Sequence, residues 1–318
     1  MNQPKRLSIL IVTYNSENEI ENCLRALQGF DESNIEIIIV DNASQDGTVN
    51  FLKEKYLNNP QYRTFFNVKN TGFAGGMNQC VELAHGDIVL SINPDTTVTV
   101  ESVMEMLEYF EKTPGIGILG PKIMNKNGVF QETYGKDLTL WNEVVGKIFE
   151  SQYLDIIPYI KKVKQNRLKI DKITEVGWIG GACFMMRKDV YLKSGGINQK
   201  FFLSHADLID LSRKVKNLGL KNILYTPVSV THVGGRSSVG DTDLALRNSY
   251  IGSLYYFEIY NGKVTVFFAK ILYIIISSIK AAIAFCISLF KNNPYRTIAK
   301  THSKNVIRII FGRLGKIQ

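Results

Sequence analysis

The chain's 318 residues, 45% hydrophobic and 21% charged, are enough to bury a full core, which excludes a disordered or fibrous protein and points to one large domain or a domain with an appendage. Four widely spaced cysteines, Cys23, Cys80, Cys183 and Cys286, form no CxxC pair, a usage that fits a reducing cytosol and argues against a disulfide framework or a zinc knuckle. The net charge of +9 is concentrated: from Tyr250 to Gln318 ten Lys or Arg residues meet one acid, Glu258, and the rest of the chain carries 28 charges of each sign, so the main body is no basic nucleic-acid binder and no nucleic-acid partner is expected.

Lys5 and Arg6 precede only a six-residue, mostly apolar run, Leu7 to Val12, too short for a secretory signal, and a cytoplasmic protein is expected. LSILIVTYN is a continuous apolar run ending in polar residues, the pattern of a strand buried on both faces. Ser16-x-x-Glu19 then predicts a capping box for a helix with Ile20, Cys23, Leu24 and Leu27 inward. A second strand, IEIIIVDNAS, ends on Asp41 and leads to a helix starting between Ser44 and Thr48. RTFFNV is a third, followed by KNTGFAGGMNQ, a glycine-rich turn entering a helix with Met77, Cys80, Val81 and Ala84 inward. DIVLSIN leads to a loop at Asp95 and a helix through Met104, Leu107 and Tyr109. These units predict an α/β fold, a mostly parallel central sheet flanked by helices. After IGILGPKI the alternation lapses, and Thr133 to Lys172 reads as an insertion. EVGWIGGACFMMRKDV is then a strand and the start of a helix, KSGGINQKFFLSHADLIDLSRKVKNLGLKN a loop and an amphipathic helix, and ILYTPVSVTHVGGRSS a last strand running into a polar loop.

Open α/β sheets bind ligands beyond the carboxyl ends of their strands. Those ends carry Thr13, Tyr14 and Asn15, then Asp41, Asn42 and Ser44, the Asn70 to Asn78 turn, Asn93 and Asp95, the Asp207 region, and His232 with Arg236. Pro94 stops its strand and delivers Asp95 into the loop, where the carboxylate either caps the following helix or faces a ligand. Asp41 either closes a turn or accepts from a nucleobase N–H or a ribose hydroxyl. Glycines 72, 75 and 76 let backbone amides approach a ligand, although no GxGxxG follows the first strand. Asp95 and His232 offer an oxygen and an imidazole to a hard divalent ion with open positions for phosphate oxygens, and Arg236 is a cation suited to a diphosphate. Alone, His232 reads more readily as a satisfied loop histidine than as a ligand.

In order and spacing, ILIVTYNSENEIENCL, IIIVDNASQDGT, NTGFAGGMNQ, LSINPDTTV, VGWIGGACFMMRKDV, GGINQKFF and VTHVGGRSS resemble the inverting GT-A glycosyltransferases of the family 2 type, in their bacterial rhamnosyltransferase-like branch. The resemblance spans about Leu7 to Tyr260 and implies a GT-A domain over residues 1–260. It also implies transfer of a sugar from a nucleotide-diphospho donor to a hydroxyl of a glycan or lipid-linked acceptor in cell-surface polysaccharide synthesis. By similarity, Thr13, Tyr14, Asn15 and Asp41 seat the nucleoside, and Asn70, Gly72, Phe73, Gly76 and Asn78 complete the donor site with Arg236. Asn93-Pro94-Asp95 stands where the family has Asp-x-Asp, leaving Asp95 as the main carboxylate for Mg²⁺ or Mn²⁺, with His232 as the second ligand. The family's base lies in a Glu-Asp pair after GG-x-x-x-x-FF. Here FFLSHADLIDLSRKV has Ala206 in place of the Glu and an extra residue between Asp207 and Asp210. Counting forward from Phe201 makes Asp207 the base; counting back from DLSRKVKNLG puts Leu208 there. Asp207 is the expected base, with Asp210 one helical turn on. A catalytically impaired nucleotide-sugar-binding homologue is the alternative. A sugar nucleotidyltransferase is disfavoured, because no glycine-rich, Arg-containing loop follows the first strand.

Residues 261–318 form a basic helical appendage. Val264 to Phe290 has the length of a membrane span but is interrupted by Lys270 and Lys280. Helices lying on an anionic membrane surface are expected there, on the inner face of the cell membrane, over a buried helical hairpin.

Overall fold

The computed structural model describes residues 6–31, 33–149, 158–159, 162, 170–201, 206–233, 242–290 and 295–312. Its contacts divide the chain into two units, one of Met1–Asp137, Ile170–Gln199 and Asp207–Gly234, the other of Leu138–Lys169, Lys200–Ala206 and Gly235–Gln318. The basic stretch beyond residue 260 is thus only part of the second unit.

The strands are β1 (Leu7–Thr13), β2 (Ile35–Asp41), β3 (Tyr62–Phe66), β4 (Ile88–Ile92), β5 (Thr96–Thr97), β6 (Ile116–Met124), β7 (Phe130–Gln131), β8 (Tyr134–Gly135), β9 (Thr174–Val176), β10 (Trp178–Ile179), β11 (Cys183–Arg187) and β12 (Lys221–His232). Ten of them form one sheet with the path β3-β2-β1-β4-β11-β6-β12-β5, while β8 and β10 pair separately. Every residue of β1, β2 and β4 is buried, as the unbroken apolar runs require of strands covered on both faces. Alternation sends Ile9, Ile11, Ile37, Ile39 and Leu90 into one apolar layer and Leu10, Val12, Ile38, Val40 and Val89 into the other. The expected single strand over EVGWIGGACFMMR is three short ones, broken at Gly177 and at Gly180–Ala182.

Helices α1 (Ile20–Ala26), α2 (Thr48–Lys55), α3 (Gly72–Leu83) and α4 (Val100–Lys112) follow the first strands. The capping box expected at Ser16 is not formed: the Ser16 hydroxyl donates to Tyr14 O at 3.3 Å and α1 begins at Ile20 without a side-chain cap. The reciprocal box is on α4, between Thr99 and Ser102, so Asp95 does not cap that helix. On α4 the buried residues are Val103, Met106, Leu107 and Phe110, with Met104 and Tyr109 only partly covered.

Register levels the functional edge. Thr13 lies opposite Asp41, Asp41 opposite Phe66 and Ile11 opposite Ile92, so β1, β2, β3 and the loop after β4 leave the sheet side by side. The antiparallel β11 starts at that edge, with Cys183 opposite Ile92. At the end of β12, His232 is opposite Thr96, the residue after Asp95.

The second unit contains α5 (Leu140–Phe149), and α6 (Lys188–Lys193) and most of α7 (Ala206–Asn217) belong to the first. α8 (Thr242–Ser288) is interrupted at Gly262, whose φ of 80° and ψ of 175° are not helical, and α9 (Tyr295–Ile310) follows. Among the described residues, α8 is the one helix long and apolar enough to cross a membrane, by length and composition.

A Cβ at Gly76 would lie 2.6 Å from Val12 Cγ1, so the absence of a side chain lets α3 sit directly on β1. Gly76→Ala is expected to destabilise the protein by about 1–3 kcal/mol, the scale of overpacking a tight core, read as a lower denaturant midpoint; an unchanged midpoint would mean that this contact relaxes freely.

Candidate active site at the carboxyl edge of the sheet

Asp41 is fully buried, and its carboxylate accepts from the Ser44 N–H at 2.9 Å and from the Ser44 hydroxyl at 2.5 Å. Ser44 Oγ in turn accepts from the Asn15 N–H at 2.8 Å, and Asn15 Oδ1 from the Gln45 N–H at 2.8 Å. This ring holds Asn15 and Ala43 at φ of 50° and 65°, in the left-handed region. It leaves the Tyr14 side chain 44% exposed at the rim. With both oxygens engaged and no exposed surface, the Asp41 carboxylate acts here by holding Ser44, and through it Asn15, in place. The neighbouring Thr13 hydroxyl is buried and has no hydrogen-bond partner among the described residues, a polar group unsatisfied on its own strand.

Asn42, which sequence reasoning passed over as a site residue, is the hub of the glycine-rich turn. Its Oδ1 accepts from Asn67 Nδ2 at 2.9 Å and from the Thr71 hydroxyl at 3.0 Å, and its Nδ2 donates to Gly72 O at 2.9 Å. Asn70 Oδ1 accepts from the Gly72 N–H at 2.8 Å, and Gly72 has a φ of 73° that suits glycine. Gly76 faces β1, and Asn78 exchanges hydrogen bonds with Ile197 and accepts from the Tyr191 hydroxyl at 2.5 Å. Gly76 and Asn78 therefore brace the turn from behind, while Asn70, Gly72 and Phe73 stand at its front. The only advance signal for Asn42 is its place directly after a strand-ending aspartate.

Asp95 and His232 meet, with His232 Nε2 3.2 Å from Asp95 Oδ1. Gln131 fixes the imidazole: its Nε2 donates to His232 O at 3.3 Å, which turns its Oε1 towards His232 Nδ1 at 2.9 Å. An amide oxygen there requires a proton on Nδ1, so in the neutral ring the lone pair of Nε2 points at a carboxylate. Two electron-rich atoms at that spacing need a proton or a cation between them. This donor set, one carboxylate oxygen and one imidazole nitrogen, fits a divalent ion whose other positions a diphosphate fills. Among the described residues no cluster of three or more His, Cys, Asp or Glu side chains is arranged as a metal site.

Two links carry the Asp95 loop across to α7. Ala182 O accepts from the Asn93 N–H at 3.0 Å and from the Thr96 hydroxyl at 3.1 Å. The adjoining Gly181 lies where a Cβ would touch Phe73 at 3.5 Å and Leu208 at 3.6 Å. So the turn at Phe73, the loop at Asp95 and the first turn of α7 gather round Gly181–Ala182. Asp207 is buried there, and desolvation lifts its carboxyl to a pKa of about 8; the Leu208 N–H opposes the rise and the nearby Asp210 adds to it. Asp210 is paired with Lys214 at 2.6 Å, and Lys214 also donates to Gly196 O at 3.2 Å. Asp210 is thus engaged in an ion pair within α7, whereas Asp207 is the titratable group poised near neutrality. Arg236 lies outside the described residues.

A mixed central sheet whose parallel strands β3, β2, β1 and β4 end together at a polar edge is the architecture of the GT-A fold. Residues 8–194, more than half the chain, match the model of glycosyl transferase family 2, and the chain belongs to that family. It is 24% identical over 250 residues to the N-acetylglucosaminyl-diphospho-decaprenol L-rhamnosyltransferase of Mycobacterium tuberculosis, covering 74% of this chain and 78% of that one. With the poly-beta-1,6-N-acetyl-D-glucosamine synthase of Staphylococcus epidermidis it shares 25% identity over 176 residues, 55% of this chain and 39% of that one. In fold it is similar to a mannosyltransferase of Pyrobaculum calidifontis solved with GDP-mannose and Mn²⁺, at a TM-score of 0.56 and 14% identity over 98% of this chain and 88% of the other.

Removing the hub should loosen the turn it holds. Asn42→Ala is expected to cost about 1–3 kcal/mol for the polar partners left unsatisfied and to raise the amide exchange rates of the 67–72 segment. Native exchange rates there would show that the turn holds without it.

Proposed function

We propose that this family 2 protein transfers a sugar from a nucleoside-diphospho donor to a hydroxyl of a glycan or lipid-linked acceptor, with inversion, in the synthesis of a cell-surface polysaccharide. Its similarity to the Mycobacterium tuberculosis L-rhamnosyltransferase favours rhamnose as the sugar. The observation that carries the reading is the Asp95–His232 pair, locked by Gln131 in a form that calls for positive charge between the two.

Thr13, Tyr14, Asn15 and Asp41 receive the nucleoside, Asp41 by holding Ser44 and Asn15 in place and the exposed Tyr14 ring as a stacking face. Asn70, Gly72 and Phe73 line the approach to the diphosphate, and Asn93 shapes the loop that presents Asp95. Mg²⁺ or Mn²⁺ held by Asp95 and His232 would supply the charge that stabilises the departing nucleoside diphosphate. Asp207 takes the proton of the acceptor hydroxyl as its oxygen attacks the anomeric carbon and the bond to the diphosphate breaks. A single in-line displacement inverts the centre and needs no covalent intermediate. A base whose pKa lies near the working pH is well matched to that task. The enzyme works as a peripheral protein on the inner face of the cell membrane, a reading supported by the acid-free basic stretch after Glu258.

Release of nucleoside diphosphate from a panel of nucleotide sugars tests the transfer. No release with any donor, alongside retained nucleotide binding, would leave a binding homologue. Asp95→Ala is expected to abolish turnover and the metal dependence of nucleoside diphosphate binding. Gln131→Leu, which leaves both ligands in place, is expected to weaken Mn²⁺ affinity about 10–100-fold, the usual effect of losing a residue that orients a ligand; calorimetry with Mn²⁺ and nucleoside diphosphate measures both.

The Asp207 carboxyl gives a pH test with a definite sign. Its folded pKa is raised from 3.8 to about 8, and the base works only when ionised, so activity should climb with pH through about 8. Asp207→Asn should lower turnover roughly 100-fold or more and leave donor affinity nearly intact. Because the folded pKa is the higher one, this group's stability contribution is full below pH 4 and is lost as pH rises through about 8. Asp207→Asn should flatten that decline in thermal melts, a readout independent of catalysis.

A further inference from the structure

The helix that runs from Gly262 to Ser288 wears its polarity inside out. On its buried side the Tyr273 hydroxyl donates to Glu143 Oε1 at 2.7 Å, Ser277 Oγ is 2.9 Å from the Tyr250 hydroxyl, and Lys280 Nζ donates to Lys147 O. On its outer side Val264, Phe267, Phe268, Ile275, Ile279 and Phe285 are exposed, Phe267 at 61% and Phe285 at 58%. At about 100° per residue these six fall in one stripe along the whole helix. A helix facing water puts its polar residues outward, and an exposed apolar stripe of this length, above a buried side where Tyr273, Ser277 and Lys280 sit beside Ala269, Ile276 and Ala284, is the pattern of a surface solvated by hydrocarbon.

The surrounding charge identifies the covering phase. Lys263 and Lys270 are exposed on one edge of the stripe, and Arg296, Lys300 and Lys304 are exposed on α9. No Asp or Glu occurs anywhere after Glu258, so a protein partner would have to supply every acid, whereas an anionic bilayer supplies them at all points beside the hydrocarbon. Lys263 and Lys270 are seven residues apart, about 10 Å along the axis. On an upright helix one of them would sit that much deeper; with the axis in the membrane plane both reach headgroups.

We propose that the stripe from Val264 to Phe285 is a lipid-docking face that lies flat in one leaflet of an anionic membrane, hydrocarbon against the apolar side chains and lipid phosphates at Lys263, Lys270, Lys300 and Lys304. The proposal rests on the peripheral-membrane reading above and specifies the face and its posture.

Cys286 provides the probe, because it is exposed on this helix while Cys23, Cys80 and Cys183 are buried. The full-length protein is treated with a polar maleimide in buffer, with vesicles of pure phosphatidylcholine, and with vesicles of phosphatidylcholine and phosphatidylglycerol at low salt. Cys286 should react in buffer and become protected on the anionic vesicles. Phe267→Ser with Ile275→Ser, both exposed and so compatible with folding, should weaken vesicle partition about tenfold or more, and Lys300→Gln with Lys304→Gln about fivefold per lysine with loss of the anionic preference. In a Cys286→Ser background, fluorophores on Val264→Cys and Ile275→Cys should be quenched by shallow lipid-borne quenchers to the same extent. Deepest quenching at position 275 would overturn the flat posture in favour of a span. Vesicle binding with Cys286 still reactive and the serine variant unaffected would overturn the stripe and leave the membrane reading standing. Protection of Cys286 that rises with protein concentration in buffer would make a second copy of the chain the occupant. No vesicle binding by the wild type would remove the membrane reading itself.

Discussion

A parallel sheet covered on both faces has few places for polar chemistry, and the level register of β1, β2 and β4 fixes where it goes. With Thr13 opposite Asp41 and Ile11 opposite Ile92, three loops leave the sheet at one height. The polar residues that end those apolar runs are therefore neighbours by construction, although they come from stretches far apart in sequence. Everything at the functional edge hangs on that register, since a one-residue slip would send each strand's side chains to the opposite layer.

The reversal of β11 is the second organising element. Because it enters the sheet beside the end of β4, its first carbonyl, Ala182 O, can bind the Asn93–Thr96 turn from the side. The preceding glycine presses the same point against Phe73 and Leu208. Three segments, the Phe73 turn, the Asn93–Thr96 loop and the first turn of α7, are thereby tied at one backbone position, and on the proposed reading side-chain chemistry is left to Asp95, His232 and Asp207. The two roles have opposite electrostatic needs. On the proposed reading Asp95 and His232 take a positive charge between them, whereas burial keeps Asp207 reluctant to hold its negative one.

Much of this was legible in the sequence, for stated reasons. The continuous apolar runs could only be strands covered on both sides, and Pro94 marked the exit of Asp95. The α/β class and the strand ends followed from those signals alone, and the family resemblance supplied the roles. What could not be read was orientation. Gln131 lies in a short strand without pattern, and its hold on His232 depends on β7 pairing with β6. Asn42 is legible as a strand-end residue but not in its role, because hydrogen-bond direction is not written in residue type. The Ser16 box failed because its hydroxyl found a nearer carbonyl. In the C-terminal helix the alternation of apolar and polar residues was visible, but its inversion, polar side inward, emerged only with the packing of Tyr273, Ser277 and Lys280.

The antiparallel β11 also bears on how such a chain can diversify. Strands β4 and β11 meet at one end of the sheet, yet all the residues between Asp95 and Cys183 intervene, and among the described residues from Asn125 to Lys172 only β7 joins that sheet. Closing a longer loop across that gap costs little, about 0.6 kcal/mol for each doubling of its length. Insertions or deletions in that stretch can therefore accumulate while the carboxyl edge of the sheet keeps its geometry. The pairing of β4 with β11, and not the length of what joins them, fixes the place where Asn93, Asp95 and Ala182 sit together.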